Sequence, residues 1–267
     1  MTIEILEPHG FCAGVTGALR KALSLSGEIY CLHELVHNEI VVGELRGRGF
    51  RFVENLDEVP DGATVLFSAH GVSPAVRAKA LERGLKVVDA TCPFVGRVHA
   101  AARRFSERGL PVVVIGHPNH AEAKGIVGEI EKPFIYPDLP SEGTPIGVVA
   151  QTTMNADEVK AIVEKLKSRH PVETLAEVCN ATRDRQNAVK NFDGDALLVL
   201  GSANSSNTRR LCEVARCPKK FRAGSLEELK ALDFSLVERL GVTSGASTPE
   251  SFLSAALSYL KEKACSK

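Results

Sequence analysis

Short apolar runs alternate with amphipathic stretches along the whole chain. Runs at 28–32, 64–68, 111–116, 147–150, 196–201 and 240–243 are rich in Val, Ile and Leu and bounded by Gly, Pro or Asp. That is the pattern of parallel strands buried on both faces. Between them the spacing predicts helices at 16–26, 75–82, 97–108, 156–170 and 208–215. Strands alternating with helices predict an α/β architecture.

The pattern repeats three times. Cys12, Cys92 and Cys179 each follow a short apolar run and open a helix-like segment, 80 and 87 residues apart, with 88 residues after the last. A first loop lies 25, 28 and 26 residues beyond each cysteine: Val36-His37-Asn38-Glu39, Asn119-His120-Ala121-Glu122 and Asn204-Ser205-Ser206-Asn207. A second lies 58, 60 and 68 residues beyond: Ser68-Ala69-His70, Gln151-Thr152-Thr153 and Gly245-Ala246-Ser247. Pro74, Asp157 and Pro249 stand where a first helical turn should start, which Pro tolerates well. The expected division is into three α/β domains, 1–91, 92–178 and 179–267. Ligands of open α/β sheets sit beyond the carboxyl ends of the strands. Three such edges facing one another would enclose a single pocket lined by nine loops.

Composition narrows the function. With 33 basic and 33 acidic side chains the 267-residue chain has no net charge, which argues against a nucleic-acid or anionic-membrane surface. Trp is absent and aromatics are 5%, which disfavours a base-stacking platform. No run approaches the ~18 apolar residues of a membrane span. Met1-Thr2-Ile3-Glu4-Ile5 has neither a basic region nor a long apolar stretch and leads straight into the first cysteine motif, so no targeting peptide is expected. Seven cysteines, an odd number, predict free thiols in a reducing, cytoplasmic compartment.

Cys31 reads as a small buried hydrophobe, and Cys212, Cys217 and Cys265 have no counterparts in the other repeats. Cys12, Cys92 and Cys179 share a repeat position. Structural zinc would want close CxxC pairs, and there are none. Thiolates spread over distant loops suit an iron–sulfur cluster, and three ligands for four irons leave one iron open as Lewis acid and electron donor. His37, His70 and His120 share loop positions with Ser205, Ser206, Asn207 and Ser247, a donor set suited to phosphate oxygens beside helix amino termini. No GxxxxGK[ST] loop occurs. Glu122, with Thr152 and Thr153 on the sister loop, is a candidate proton carrier, and Glu39 at the same repeat position is equally eligible on spacing.

At these residues the chain resembles the 4-hydroxy-3-methylbut-2-enyl diphosphate reductases, which complete the methylerythritol phosphate route to isoprenoids. The matching stretches are Gly10-Phe-Cys-Ala-Gly-Val15, Val36-His-Asn38, Ser68-Ala-His-Gly-Val72, Asp89-Ala-Thr-Cys-Pro93, Gln151-Thr-Thr153, Cys179-Asn-Ala-Thr182, Gly201-Ser-Ala-Asn-Ser-Ser-Asn207 and Gly245-Ala-Ser247. They span nearly the whole chain in family order. The resemblance implies a trefoil of three α/β domains around one [4Fe–4S] cluster held by Cys12, Cys92 and Cys179. It implies that the unique iron takes the substrate hydroxyl. It implies a diphosphate pocket of His37, His70, His120, Ser205, Ser206, Asn207 and Ser247, with Glu122 rather than Glu39 as proton donor, assisted by Thr152. The implied partner is an electron donor such as ferredoxin or flavodoxin with its reductase, and the implied state is a monomer. Ala121 stands where the family often has proline, and an end soon after Lys261 implies that any family tail closing over the substrate is shortened.

The implied reaction is a two-electron reductive dehydroxylation giving isopentenyl and dimethylallyl diphosphate. The competing classes are a non-redox hydratase using the open iron purely as a Lewis acid, and a metal-binding protein without turnover.

Overall fold

The structure, a computed structural model, describes residues 1–265, with side chains through Lys263. Its strands are β1 (Thr2–Ile5), β2 (Ile29–Leu32), β3 (Phe50–Val53), β4 (Thr64–Phe67), β5 (Lys86–Asp89) and β6 (Val112–Ile115). They continue as β7 (Pro133–Ile135), β8 (Ile146–Ala150), β9 (Val172–Leu175), β10 (Ala196–Leu200), β11 (Lys219–Ala223) and β12 (Arg239–Ser244). The helices are α1 (Ala13–Leu23), α2 (Glu39–Gly47), α3 (Pro74–Glu82), α4 (Pro93–Glu107) and α5 (Ala121–Val127). After them come α6 (Ala156–Lys167), α7 (Asn180–Asn191), α8 (Ser206–Val214), α9 (Leu226–Lys230) and α10 (Glu250–Cys265). No described helix is long and apolar enough to cross a membrane.

The fold is α/β, with three parallel four-stranded sheets in the orders β1-β12-β10-β11, β3-β2-β4-β5 and β7-β6-β8-β9. Two units divide the chain. One comprises Met1–Ala13, His37–Gly43 and Asn180–Lys267 and contains the first of these sheets. The other comprises Gly14–Val36 and Glu44–Cys179 and contains the remaining two.

The six strands predicted from apolar runs are the inner pair of each sheet, β2 and β4, β6 and β8, β10 and β12. Burial on both faces explains their composition. In β10, Ala196, Leu198 and Leu200 pack with Val242, Phe252, Leu253 and Leu260, while Leu197 and Val199 face Val189, Phe192 and Leu211. Each fully buried Leu or Val there contributes roughly 1.5–3 kcal/mol of transfer free energy.

One strand sits elsewhere than the division at residue 91 implies. β1 pairs with β12, Thr2 opposite Arg239 and Ile5 opposite Val242. The place beside β4 is taken by β5, and the corresponding place beside β8 by β9. The sheet of the last segment is thus completed by the first strand of the chain. In all three sheets this outer strand leads into a cysteine: β1 to Cys12, β5 to Cys92, β9 to Cys179.

Candidate functional site

Every residue assigned to the site from the sequence lies in a loop at the carboxyl end of a parallel strand or in the first turn of the helix that follows. Cys12 and Cys179 immediately precede α1 and α7, and Cys92 is the N-cap of α4 with Pro93 behind it. The three backbone N–H groups donate to strand-end loops: Cys12 to Ala246 O at 3.1 Å, Cys92 to Ala69 O at 3.0 Å, Cys179 to Thr152 O at 3.2 Å. All three thiols are half-buried. A helix amino end favours an anionic sulfur. Burial pushes Cys31 up to about 12 and Cys212 up to about 11, and it raises Cys217. Those three are held protonated. The Cys265 side chain lies outside the described residues.

In the unit with two sheets, His70, His120, Glu122 and Thr152 come together. The rings of His70 and His120 meet edge-on, centroids 5.5 Å apart at 88°. His120 caps α5, its Nδ1 accepting from Glu122 N at 3.2 Å. In the neutral ring that bond leaves the proton on Nε2. His70 Nδ1 lies 3.3 Å from Ser68 Oγ. Glu122 is 1% exposed, and its Oε1 accepts from Thr152 N at 2.6 Å. The first turn of α5 and the loop after β8 are therefore joined at the carboxyl group.

The other unit holds the small donors. Ser205 caps α8 by accepting from Thr208 N, and Ser206 and Asn207 follow as buried first-turn residues. Asn207 is held at both ends of its amide: Oδ1 accepts from Ala246 N at 3.0 Å, and Nδ2 lies 3.4 Å from Thr182 Oγ1. Ser247 Oγ donates to His37 O at 3.0 Å. Glu39, the other candidate on spacing, is exposed, with Oε1 accepting from Ser202 Oγ at 2.8 Å.

Three supporting residues escaped the sequence reading. Gln151 joins two loops, its Oε1 accepting from His117 N at 3.0 Å and its Nε2 donating to Thr153 Oγ1 at 2.8 Å. Asn38 caps α2 through Ile40 N and Val41 N. Arg185, 3% exposed, donates to Gly10 O at 2.7 Å and His9 O at 3.3 Å, fixing the turn before Cys12. Gln151 and Asn38 lie inside the motifs Gln151-Thr-Thr153 and Val36-His-Asn38, which was the available signal; a lone arginine in a polar helix offered none.

Residues 3–261 match the family described as LytB protein. The chain is 44% identical over 275 residues to 4-hydroxy-3-methylbut-2-enyl diphosphate reductase 2 of Mycobacterium bovis, covering 93% of this chain and 83% of that one. It is 41% identical over 281 residues to the reductase of that name from Acidithiobacillus ferrooxidans, covering 98% and 89%. Among solved structures it is similar to the E-1-hydroxy-2-methyl-but-2-enyl-4-diphosphate reductase of Plasmodium falciparum, with a TM-score of 0.90, 31% identity, and coverage of 97% of this chain and 87% of that one.

Proposed function

The chain belongs to the LytB family and is an enzyme, and on that premise we propose that it reduces 4-hydroxy-3-methylbut-2-enyl diphosphate. The products are isopentenyl diphosphate and dimethylallyl diphosphate, and the reaction takes two electrons. The observation that carries this reading is the set of three half-buried thiols at helix amino ends, on a chain so similar to relatives named for that activity.

Cys12, Cys92 and Cys179 would hold one [4Fe–4S] cluster per chain. Their chemistry fits it: cluster ligands are thiolates, and these three lack the deep burial that keeps Cys31 protonated. When bound, the cluster supplies electrons and an open iron that polarises the substrate hydroxyl.

The chain's own residues do the rest. His120, with Nδ1 engaged at its helix cap, presents Nε2–H to a diphosphate oxygen. His37, His70, Ser205, Ser206, Asn207 and Ser247 complete the anchor, with the α8 amino end favouring the anion. Glu122 delivers the proton, and Thr152, whose N–H fixes the carboxyl group, keeps it aimed. Burial of both residues keeps bulk water from competing for that proton. A ferredoxin or flavodoxin with its reductase supplies the electrons to a monomeric, cytoplasmic enzyme.

Glu122→Gln tests the reading. Purified anaerobically, it is expected to keep its iron content and its affinity for inorganic diphosphate while losing turnover about 100-fold or more. Native turnover would sink the proton-donor role. Cys92→Ser is expected to lose the brown chromophore, and unchanged iron would refute its ligand role.

A further inference from the structure

Helix α4 carries a histidine that the proposed reaction does not use. His99 is 7% exposed, about two turns beyond Cys92. Its Nδ1 lies 3.0 Å from Oε1 of the buried Glu129 side chain, and Arg103 approaches that carboxylate at 3.5 Å. A carboxylate only accepts, so the proton of the bond is on Nδ1. Nε2 has no hydrogen-bond partner among the described residues. A ring buried with one nitrogen bare calls for an explanation other than polarity.

The bare edge is wedged between two backbones. One is Gly71, next to His70, with a φ of +76° that favours glycine. The other is Gly125, about one turn past Glu122 on α5. A Cβ on Gly71 would lie 3.0 Å from His99 Nε2, and one on Gly125 would lie 3.0 Å from Cε1. The Gly125 position is also 3.5 Å from Gly71 O, so loop and helix come into contact beside the ring. The same loop touches α5 again at its end, where a Cβ on Gly128 would strike Ser73 Cβ at 2.3 Å. Glu129, which fixes the ring through Nδ1, follows directly on this segment. The ring is therefore tied to the α5 side and presses on the His70 loop.

We propose that His99 is a positioning residue whose ring sets the distance between the loop carrying His70 and the helix carrying His120 and Glu122. It thereby fixes the proton donor relative to the anchored diphosphate. This rests on the roles proposed above for those three residues. Displacement of a reacting group by about 1 Å costs on the order of 100-fold in rate, so the effect belongs in kcat.

In the anaerobic holoenzyme, His99→Ala is expected to lower kcat about tenfold or more, with KM changed less than about threefold and iron content unchanged. In a Glu122→Gln background the same change is expected to cost less than about twofold, because the donor it aims is already gone. His99→Asn, whose amide can still reach Glu129 but which lacks the ring edge, should behave like His99→Ala. Should His99→Ala fail to fold, Gly125→Ala substitutes for it: it favours the helix yet sets a methyl group against Cε1. Equal losses in the two backgrounds, or native kcat in these variants, would overturn the proposal. Undiminished turnover and diphosphate affinity in both His70→Ala and Glu122→Gln would instead sink the underlying roles, and the positioning role with them. Loss in those two with native His99→Ala would sink the positioning role alone.

Discussion

Thr208 is fully buried in the first turn of α8, and its Oγ1 has no hydrogen-bond partner among the described residues. An unmet buried hydroxyl costs about 1–3 kcal/mol. Thr208→Val keeps the shape and removes the group, so stability should rise by about 1 kcal/mol in urea denaturation. A loss of that size would mean the hydroxyl is used. Asp89, three residues before Cys92, makes the opposite case. Burial pushes its carboxyl group up, but hydrogen bonds from Thr91 Oγ1 and N and the Arg77 guanidinium outweigh burial and hold it below the usual range. A depressed carboxylate contributes stability above its unfolded pKa of about 3.9 and loses it as pH falls through the folded value. Asp89→Asn should therefore cost about 1 kcal/mol or less near pH 7, since the pair is about one-third exposed. The gap between the two proteins should close as pH falls below about 4. A gap constant down to pH 2 would show that charge is not its cause.

At the scale of elements, the inner strands carry the stability. Leu198, at the centre of β10 and 0% exposed, packs under α10, so Leu198→Ala should cost about 2–5 kcal/mol in thermal or denaturant unfolding. A cost below about 1 kcal/mol would contradict that packing. These strands were legible in the sequence because burial on two faces leaves continuous apolar runs. The edge strands were not, since one flank lacks a partner and polar side chains interleave: β1 is Thr-Ile-Glu-Ile, β9 Val-Glu-Thr-Leu, and β11 begins with two lysines. Helix α7 was hidden for another reason. The face it buries includes Thr182, Arg185 and Gln186, so no apolar stripe marks it. The site was legible as residue types at repeated positions. Its wiring was not, because bonds such as Ala246 N to Asn207 Oδ1 join loops distant in sequence. Glu39 and Glu122 share a repeat position, and what distinguishes them is exposure, which spacing does not encode.

For the whole molecule, the pairing of β1 with β12 dominates. From Thr2 to Cys12 the chain is fastened along residues 238–246: Thr2 N to Glu238 O, Leu6 N to Val242 O, Gly10 N to Ser244 Oγ and Cys12 N to Ala246 O. A chain ending at residue 238 keeps Cys12, Cys92 and Cys179 but has no β12 against which to seat the first of them. It should take up little iron on anaerobic reconstitution, and a full complement would show that Cys12 needs no such seat. The same arrangement sets a timetable. At ~5–20 residues per second, Cys12 is made roughly 10–50 s before Ala246. On the ligand role proposed for Cys12, its seat is complete only once β12 has been made, so metal delivery to it would follow that strand rather than precede it.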